Sequence, residues 1–519
     1  MVPLLKPRAV SERVLLAALL IAAAGWMAWL AVYQVDDAYI VYRYARSLAE
    51  GDGFVFNPGE RVEGVTCFLW TLALAPIALA GLPLPRVAPA LTALFGLATL
   101  VLVARRHAES EERLHLARRD LLPSLLLAAA PAFAYWSVGA LETIPYALLV
   151  TLAARAHARE RRGVGSWGSG VWLGIAGLVR PETPLLVAAL GADRLRARGL
   201  ASTARWLAIV AAFVGPFLLF RRLYFGEWLP NTYYAKTGAA LPVLLSFGWI
   251  YLRGCLASIV PSFGVSGSAI ALAGGLALAA LLTFAWRRPA LQTEAIVVLT
   301  VAAAIVIEGG DWMVLSRFWV PALPSLAVVA GAALLSLASR RRAGLVAATL
   351  LVVAVVASGV TESVRQRNGG QGLKVNAIGY RHAHREVARY LNEHAAPGDA
   401  VALMDIGIIG WYADRLRVID ITGLTDRDIA HAPGGFLDKT FPVAALLARD
   451  PRYIVLVPGF PADTRIFEDP SFRSRYRALF NLDHRFNWTP PSTYKLWVFE
   501  RNARNTSRNE GSGGNVRTR

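Results

Sequence analysis

Hydrophobic positions in this chain run together in long unbroken stretches instead of alternating or recurring on one helix face. Val14–Val35, Val87–Ala104, Leu121–Leu141, Gly254–Trp286, Phe318–Ser339 and Ala343–Thr361 contain no Asp, Glu, Lys, Arg or His. Each is near or above the roughly 18–20 residues that carry a helix across a bilayer core. Between them lie compact basic clusters at Lys6/Arg8/Arg13, Arg105–Arg119, Arg155–Arg162, Arg194–Arg198, Arg287/Arg288 and Arg340–Arg342. Loops rich in Lys and Arg stay on the cytoplasmic side. Holding every cluster there selects crossings at 14–34, 86–104, 121–140, 141–157, 165–180, 182–195, 203–220, 267–286, 291–308, 318–339 and 343–361. Eleven crossings is an odd number, so a cytoplasmic N-terminus leaves everything after residue 361 outside. Two apolar stretches, Gly64–Gly81 and Leu241–Val260, are left over, since counting the first as a crossing would move the Arg105–Arg119 cluster outside. They are expected as interfacial helices along the outer membrane surface. The crossing at 182–195 is the shortest, and a re-entrant pair at 165–195 is an alternative that keeps the parity.

Beyond residue 361 the pattern shortens. Apolar runs at Ala400–Leu403, Arg417–Ile421, Tyr453–Val457 and Lys495–Phe499 read as strands, and Arg381–His394 as an amphipathic helix. The expected fold class is therefore a polytopic α-helical membrane protein with a C-terminal periplasmic α/β domain. The membrane domain covers 1–361, with a first outer loop at 36–85, and the α/β domain covers 362–500. The remainder, 501–519, is rich in Asn, Arg, Gly and Ser and reads as a disordered tail.

Composition narrows the class. Of 519 residues, 55% are hydrophobic and only 17% charged, against about 25% charged in soluble domains, which excludes a soluble enzyme and a disordered binding protein. The net charge of +18 comes from Arg clusters between apolar segments, so it marks membrane orientation and not nucleic-acid binding. Two isolated cysteines, Cys67 and Cys255, give neither zinc spacing nor a disulfide framework. The segment 14–35 follows a basic leader but lacks a clear small-residue cleavage site, and reads as a retained anchor.

Under this topology the outer loops collect the acids and amides. Asp36 and Asp37 directly follow the first crossing. Adjacent carboxylates repel, so one stays ionised while the other is held by a cation or hydrogen bonds, an arrangement suited to a general base acting on a hydroxyl. A solvated acidic helix end is the alternative. Glu63 and Glu142 are reserve candidates for the base. Arg180, Lys236 and Arg317, supported by Arg221 or Arg222, sit outside against the positive-inside tendency. An anionic ligand would explain them, since Arg grips phosphate through its planar fork. Arg43, Asn57, Arg61, Glu182, Asn231 and Asp311 are candidates for substrate contacts on the same face. The plainer reading is that Arg180–Glu182 and Asp311–Arg317 are salt bridges tying helix ends. Of the two aspartates, the one nearer Arg43 is expected to be structural or metal-binding, and the other to meet the acceptor.

These residues fall into recognisable motifs. Asp36-Asp37-Ala38-Tyr39-Ile40 with Arg43, then Asn57-Pro58-Gly59-Glu60-Arg61-Val62-Glu63-Gly64, resembles the first outer loop of bacterial GT-C glycosyltransferases. It is most similar to the mycobacterial terminal β-arabinofuranosyltransferases and related polyprenyl-phosphate-sugar transferases. Leu141-Glu142-Thr143, Arg180-Pro181-Glu182, Leu229-Pro230-Asn231-Thr232 and Gly310-Asp311-Trp312-Met313 with Arg317 fit the same group. The likeness spans 14–361 and continues more weakly into Asp405-Ile406-Gly407 and Asp420–Asp426. Cys67 departs from it, because relatives carry a small polar residue there. The resemblance implies a polyprenyl-phosphate sugar donor, a base on the first outer loop, and two surface helices in that loop. It also places Asp36, the first of the pair, as the favoured base. The acceptor would be a cell-envelope glycan, lipid or protein.

The implied reaction is an inverting transfer in which cations neutralise the departing phosphate. A divalent cation (Mg, Mn or Ca) on carboxylate oxygens could substitute for them, but no spacing singles out its ligands. Two other classes compete. A transporter or flippase of lipid-linked sugars predicts paired half-sites near mid-membrane and repeat symmetry, and the sequence shows neither. A non-catalytic envelope-assembly subunit predicts no dependence of turnover on the acidic pair.

Overall fold

The computed structural model describes residues 11–112, 115–238, 240–263, 267–369, 372–485 and 493–502. Seven helical stretches among them are long and apolar enough to cross a membrane. They include Glu12–Leu30, Leu84–Ser110, Leu200–Phe225, Ser268–Trp286 and Arg342–Asn368, with the spans Pro289–Glu308 and Arg317–Ala338. Their exposed Leu, Ile, Val and Trp side chains, such as Ile21, Leu223, Leu272 and Leu350, form the lipid-facing surface that the missing charges led us to expect.

Four further expected crossings appear as shorter or broken helices. The run at 121–140 splits into Leu121–Ala128 and Pro131–Trp136, because Pro131 has no N–H to continue the first helix and begins the second. The chain then reverses through Ala140, whose φ is 65°, into Thr143–Arg161. The stretch 165–195 becomes Gly168–Gly177 and Thr183–Arg198. Glycines let these short helices pack closely. A Cβ on Gly174 would lie 2.7 Å from the Phe213 ring. Charges at the end of the bundle away from the outer loops are buried in pairs, including Arg106–Glu294 at 2.6 Å and Arg194–Glu160 at 2.7 Å.

The first crossing ends at Leu30, and Val35 caps a second helix, Asp36–Glu50. This helix and Phe68–Leu79 are the two helices of the first outer loop. The second leftover stretch forms Leu241–Ala257, packed on the bundle through Gly248 and Gly274. Asp36–Glu50 is not an open surface helix. Ten of its fifteen residues are buried, because the C-terminal domain sits on top of it.

That domain carries a five-stranded sheet in the order β2-β1-β3-β5-β4. Its strands are β1 (Ala400–Leu403), β2 (Arg417–Asp420), β3 (Tyr453–Leu456), β4 (Tyr476–Arg485) and β5 (Thr493–Arg501). β1 runs parallel to β2 and β3, whereas β5 is antiparallel to β3 and β4. β4 escapes the sequence pattern because it is an edge strand with charged and polar residues at alternate positions, where one apolar face suffices. The expected amphipathic helix is Tyr380–His394. The tail expected at 501–519 lies, from 503 onward, outside the described residues, as do Lys6 and Arg8 of the first basic cluster.

Candidate active site between the outer loop and the C-terminal domain

A cleft of about 600 Å³, part of it open to solvent, separates the end of the bundle that carries Asp36 from the C-terminal domain. Asp36, Asp37, Ile40 and Trp312 line it from the membrane side. From the other side come Met404, Asp405 and Ile406 after β1, Thr422 and Leu424 after β2, and Phe460 after β3. The carboxyl ends of three neighbouring parallel strands thus face the cleft, the position where open α/β sheets place ligands.

The two aspartates differ sharply. Asp36 is 6% exposed, and its two oxygens accept the amides of Gly407 at 2.8 Å and Ile408 at 2.7 Å. It therefore caps Ile406–Tyr412 from another domain. Burial, with the neighbouring Asp405 charge, pushes its pKa up to about 7, while His384 and the amides pull it back. His384 donates Nδ1–H to the Tyr380 carbonyl at 2.7 Å and meets Asp405 at 3.0 Å through Nε2. Burial works against a charged imidazole here, but Asp405 and Asp36 raise its pKa above the ordinary value. Asp37 is half-buried, and no hydrogen bond reaches its carboxylate among the described residues. Burial raises its pKa, Lys236 and Arg317 oppose the rise, and Asp311 and Glu142 add to it.

Around Asp37 the sequence-derived candidates divide. Arg180 is held by Glu182 at 2.6 Å and Glu142 at 2.7 Å. Arg317 stands 2.8 Å from Asp311, and neither the Arg317 Nε nor the Asp311 oxygen of that pair makes a hydrogen bond among the described residues. Both salt bridges of the plainer reading therefore exist. Lys236 is exposed, has no carboxylate partner among the described residues, and lies 5.5 Å from the Phe436 ring centroid. Asp37 thus lines the cleft within the electrostatic influence of two cations, Lys236 and Arg317, the second of them paired with Asp311.

The other candidates are engaged elsewhere. Arg221 forms a buried two-point pair with Glu63 at 2.6 and 3.1 Å. Arg222 donates to the Gly226 carbonyl at the end of its own helix, and Arg61 lies over the Tyr224 ring. The expectation that Arg43 neighbours one aspartate is corrected by the structure. Its buried guanidinium donates to the carbonyls of Phe56, Gly410 and Leu416 and to Asn57. Asn57 itself pairs with both main-chain groups of Val418 at the free edge of β2. Asn231 donates to the carbonyls of Gly423 and Leu424. Glu60–Arg417 at 2.6 Å and Arg46–Asp414 at 2.5 Å add to the seam. Much of the first-loop motif therefore docks the C-terminal domain.

Sequence reasoning missed His384 and Lys439, and met Trp312 and Thr422 only as members of motifs. Asp405 and the Asp420 loop carried a faint signal, since Asp420 ties Thr422 and Thr425 into a tight turn. Cys67 and Cys255 are buried free thiols. Among the described residues no three His, Cys, Asp or Glu converge as a metal-binding group, so the geometry singles out no ligands for a divalent cation.

Comparison with known proteins agrees with this architecture. Residues 374–508 match a family model described as "Domain of unknown function (DUF8728)". A terminal β-(1→2)-arabinofuranosyltransferase of Corynebacterium glutamicum is 27% identical over 257 residues, 44% of this chain. One from Mycobacterium tuberculosis is 30% identical over 236 residues, 41% of this chain. The matched stretch covers 36% of the length of each of these relatives. The crystal structure of ArnT from Cupriavidus metallidurans bound to undecaprenyl phosphate superposes with a TM-score of 0.57 at 15% identity, covering 94% of this chain and 97% of that one. The oligosaccharyltransferase AglB from Archaeoglobus fulgidus, in complex with an inhibitory peptide and a dolichol-phosphate, gives 0.51 at 12% identity, over 95% and 74%. The chain has the fold of the GT-C membrane glycosyltransferases, a helical bundle with a sheet-containing C-terminal domain.

Proposed function

We propose that this chain is a GT-C glycosyltransferase that moves a sugar from a polyprenyl-phosphate donor to a hydroxyl of a cell-envelope glycan, lipid or protein. The observation that carries the reading is Asp37, which lines the cleft with no hydrogen bond to its carboxylate among the described residues and lies under the electrostatic influence of Lys236 and Arg317. The likeness to ArnT bound to undecaprenyl phosphate and to the two arabinofuranosyltransferases supports it. Their names make an arabinofuranosyl donor the first to test.

In this reading Asp37 accepts the proton of the acceptor hydroxyl as its oxygen attacks the anomeric carbon. The bond from that carbon to the phosphate oxygen breaks, and the sugar inverts. Polyprenyl phosphate leaves with its added charge neutralised by Lys236 and Arg317, so no separate acid is needed. Arg180 completes the positive wall while held in place by Glu142 and Glu182. Asp36 anchors the C-terminal domain, which brings the acceptor to the cleft. The cleft faces the periplasm across a bacterial inner membrane, with the N-terminus in the cytoplasm. Transfer from a synthetic polyprenyl-phosphate sugar by the purified protein in liposomes tests the proposal. Absence of transfer from every such donor, with intact donor binding, would favour a flippase instead.

A further inference from the structure

Lys439 is 3% exposed and pairs with no carboxylate among the described residues. Its three ammonium donors go to three carbonyls: Tyr234 at 2.8 Å, Thr237 at 3.1 Å and Ala432 at 3.2 Å. A buried ammonium is costly unless its donors are matched, and here all three are. Two of these carbonyls lie on either side of Lys236 in the chain, on the helix Asn231–Lys236 and the turn that ends it. The surrounding contacts lead to the same place. The Tyr234 ring stacks on His431 at 4.3 Å, and Phe436 presents its face to the Lys236 ammonium. Gly238, at φ 118°, approaches the segment so closely that a Cβ would lie 2.4 Å from the Gly434 carbonyl oxygen. Arg465 secures the segment from behind, donating to Asp438 at 2.7 Å and to the Lys439 carbonyl at 2.7 Å. The membrane domain supplies Lys236, but the C-terminal domain fixes the main chain that carries it.

We propose that Lys439 is a positioning residue for the donor-phosphate site, setting Lys236 in place by clamping the carbonyls on both sides of it. This rests on the reading of Lys236 as a phosphate-binding cation. It gives the C-terminal domain a role in donor binding as well as in acceptor placement.

The test is steady-state kinetics of the full chain in liposomes, varying a polyprenyl-phosphate sugar and the acceptor separately. Lys236→Met should raise the donor KM about ten- to hundredfold, the worth of one charged hydrogen bond. Lys439→Met should raise donor KM several-fold with kcat and acceptor KM within about twofold. The double variant should be no worse than Lys236→Met alone, because Lys439 acts through Lys236. If Lys439→Met fails to fold, Lys439→Gln, which keeps part of the clamp, should show the same KM-selective effect at smaller size. An unchanged donor KM in Lys236→Met would remove the phosphate reading and this inference with it. A full Lys236→Met effect beside Lys439 variants that lower kcat, act on acceptor KM or add in the double variant would overturn the inference alone.

Discussion

Replacing each aspartate of the pair by asparagine separates anchoring from chemistry. Asp36 holds two backbone amides at 2.8 and 2.7 Å in a buried seam. An asparagine can accept one of them through its oxygen, but its NH₂ then faces the other donor. The loss is one hydrogen bond to a charged group, about 1.5–3 kcal/mol, plus an orphaned amide worth about 1–3 kcal/mol. A carboxylate held up to about 7 is partly protonated near neutrality, so the lower end of the sum applies, about 2–3 kcal/mol. Asp37 has no hydrogen bond to lose among the described residues, and its pKa is raised by burial. Asp37→Asn should therefore stay within about 0.5 kcal/mol of the parent stability while transfer falls about 10²–10⁴-fold. Asp36→Asn should lower the thermal midpoint and expose the domain seam to protease, with a smaller loss of turnover per folded molecule. Thermal unfolding in detergent, limited proteolysis and transfer from a lipid-linked sugar in liposomes read the three effects. Near-parental transfer by Asp37→Asn, beside an inactive Asp36→Asn of unchanged stability, would refute the reasoning and restore Asp36 as the base.

Because the base must be ionised, turnover should fall as pH drops through the raised Asp37 pKa, giving an acid limb above the ordinary carboxylate range. Lys236 holds that pKa down, so a pH–rate profile of Lys236→Met should show the limb moved to higher pH. Arg180→Gln leaves Glu142 and Glu182 without their shared cation; a thermal midpoint equivalent to a loss of about 3–5 kcal/mol is expected, whereas Arg222→Gln, which removes only an exposed helix-end contact, should cost less than about 1 kcal/mol. Asn231→Ala removes the amide that spans the Gly423 and Leu424 carbonyls, and faster proteolytic cleavage in the 420–426 loop should report the loosened seam.

The seam changes how the first outer loop is understood. Arg43, Asn57, Glu60 and Asn231 form a continuous polar surface that matches exposed carbonyls and an open strand edge of the C-terminal domain. Without it, β2 would present unpaired main-chain groups at the margin of the sheet. The same contacts bring the strand ends over Asp37, so domain docking and assembly of the cleft are one event.

The sequence by itself determined the membrane class, the helices at 14–34, 86–104, 203–220, 267–286, 291–308, 318–339 and 343–361, and four of the five strands. These follow from local quantities: uncharged length, alternation and the placement of Arg. It also singled out the pair Asp36 and Asp37, with Asp36 favoured, and the cations Arg180, Lys236 and Arg317, because a charge beside a membrane span is costly enough to stand out. Tertiary structure alone decided which polar residues hold the domains together and which line the cleft. Asp36 and Asp37 are identical in type and adjacent in the chain, yet one carboxylate accepts the amides of residues 407 and 408 while the other lines the cleft with no hydrogen bond among the described residues. Lys439 gives no local signal, since its three carbonyl partners come from two segments, one of them some two hundred residues earlier in the chain. A hydrogen bond depends on where its partner is and not only on what it is, and only the folded chain sets that distance.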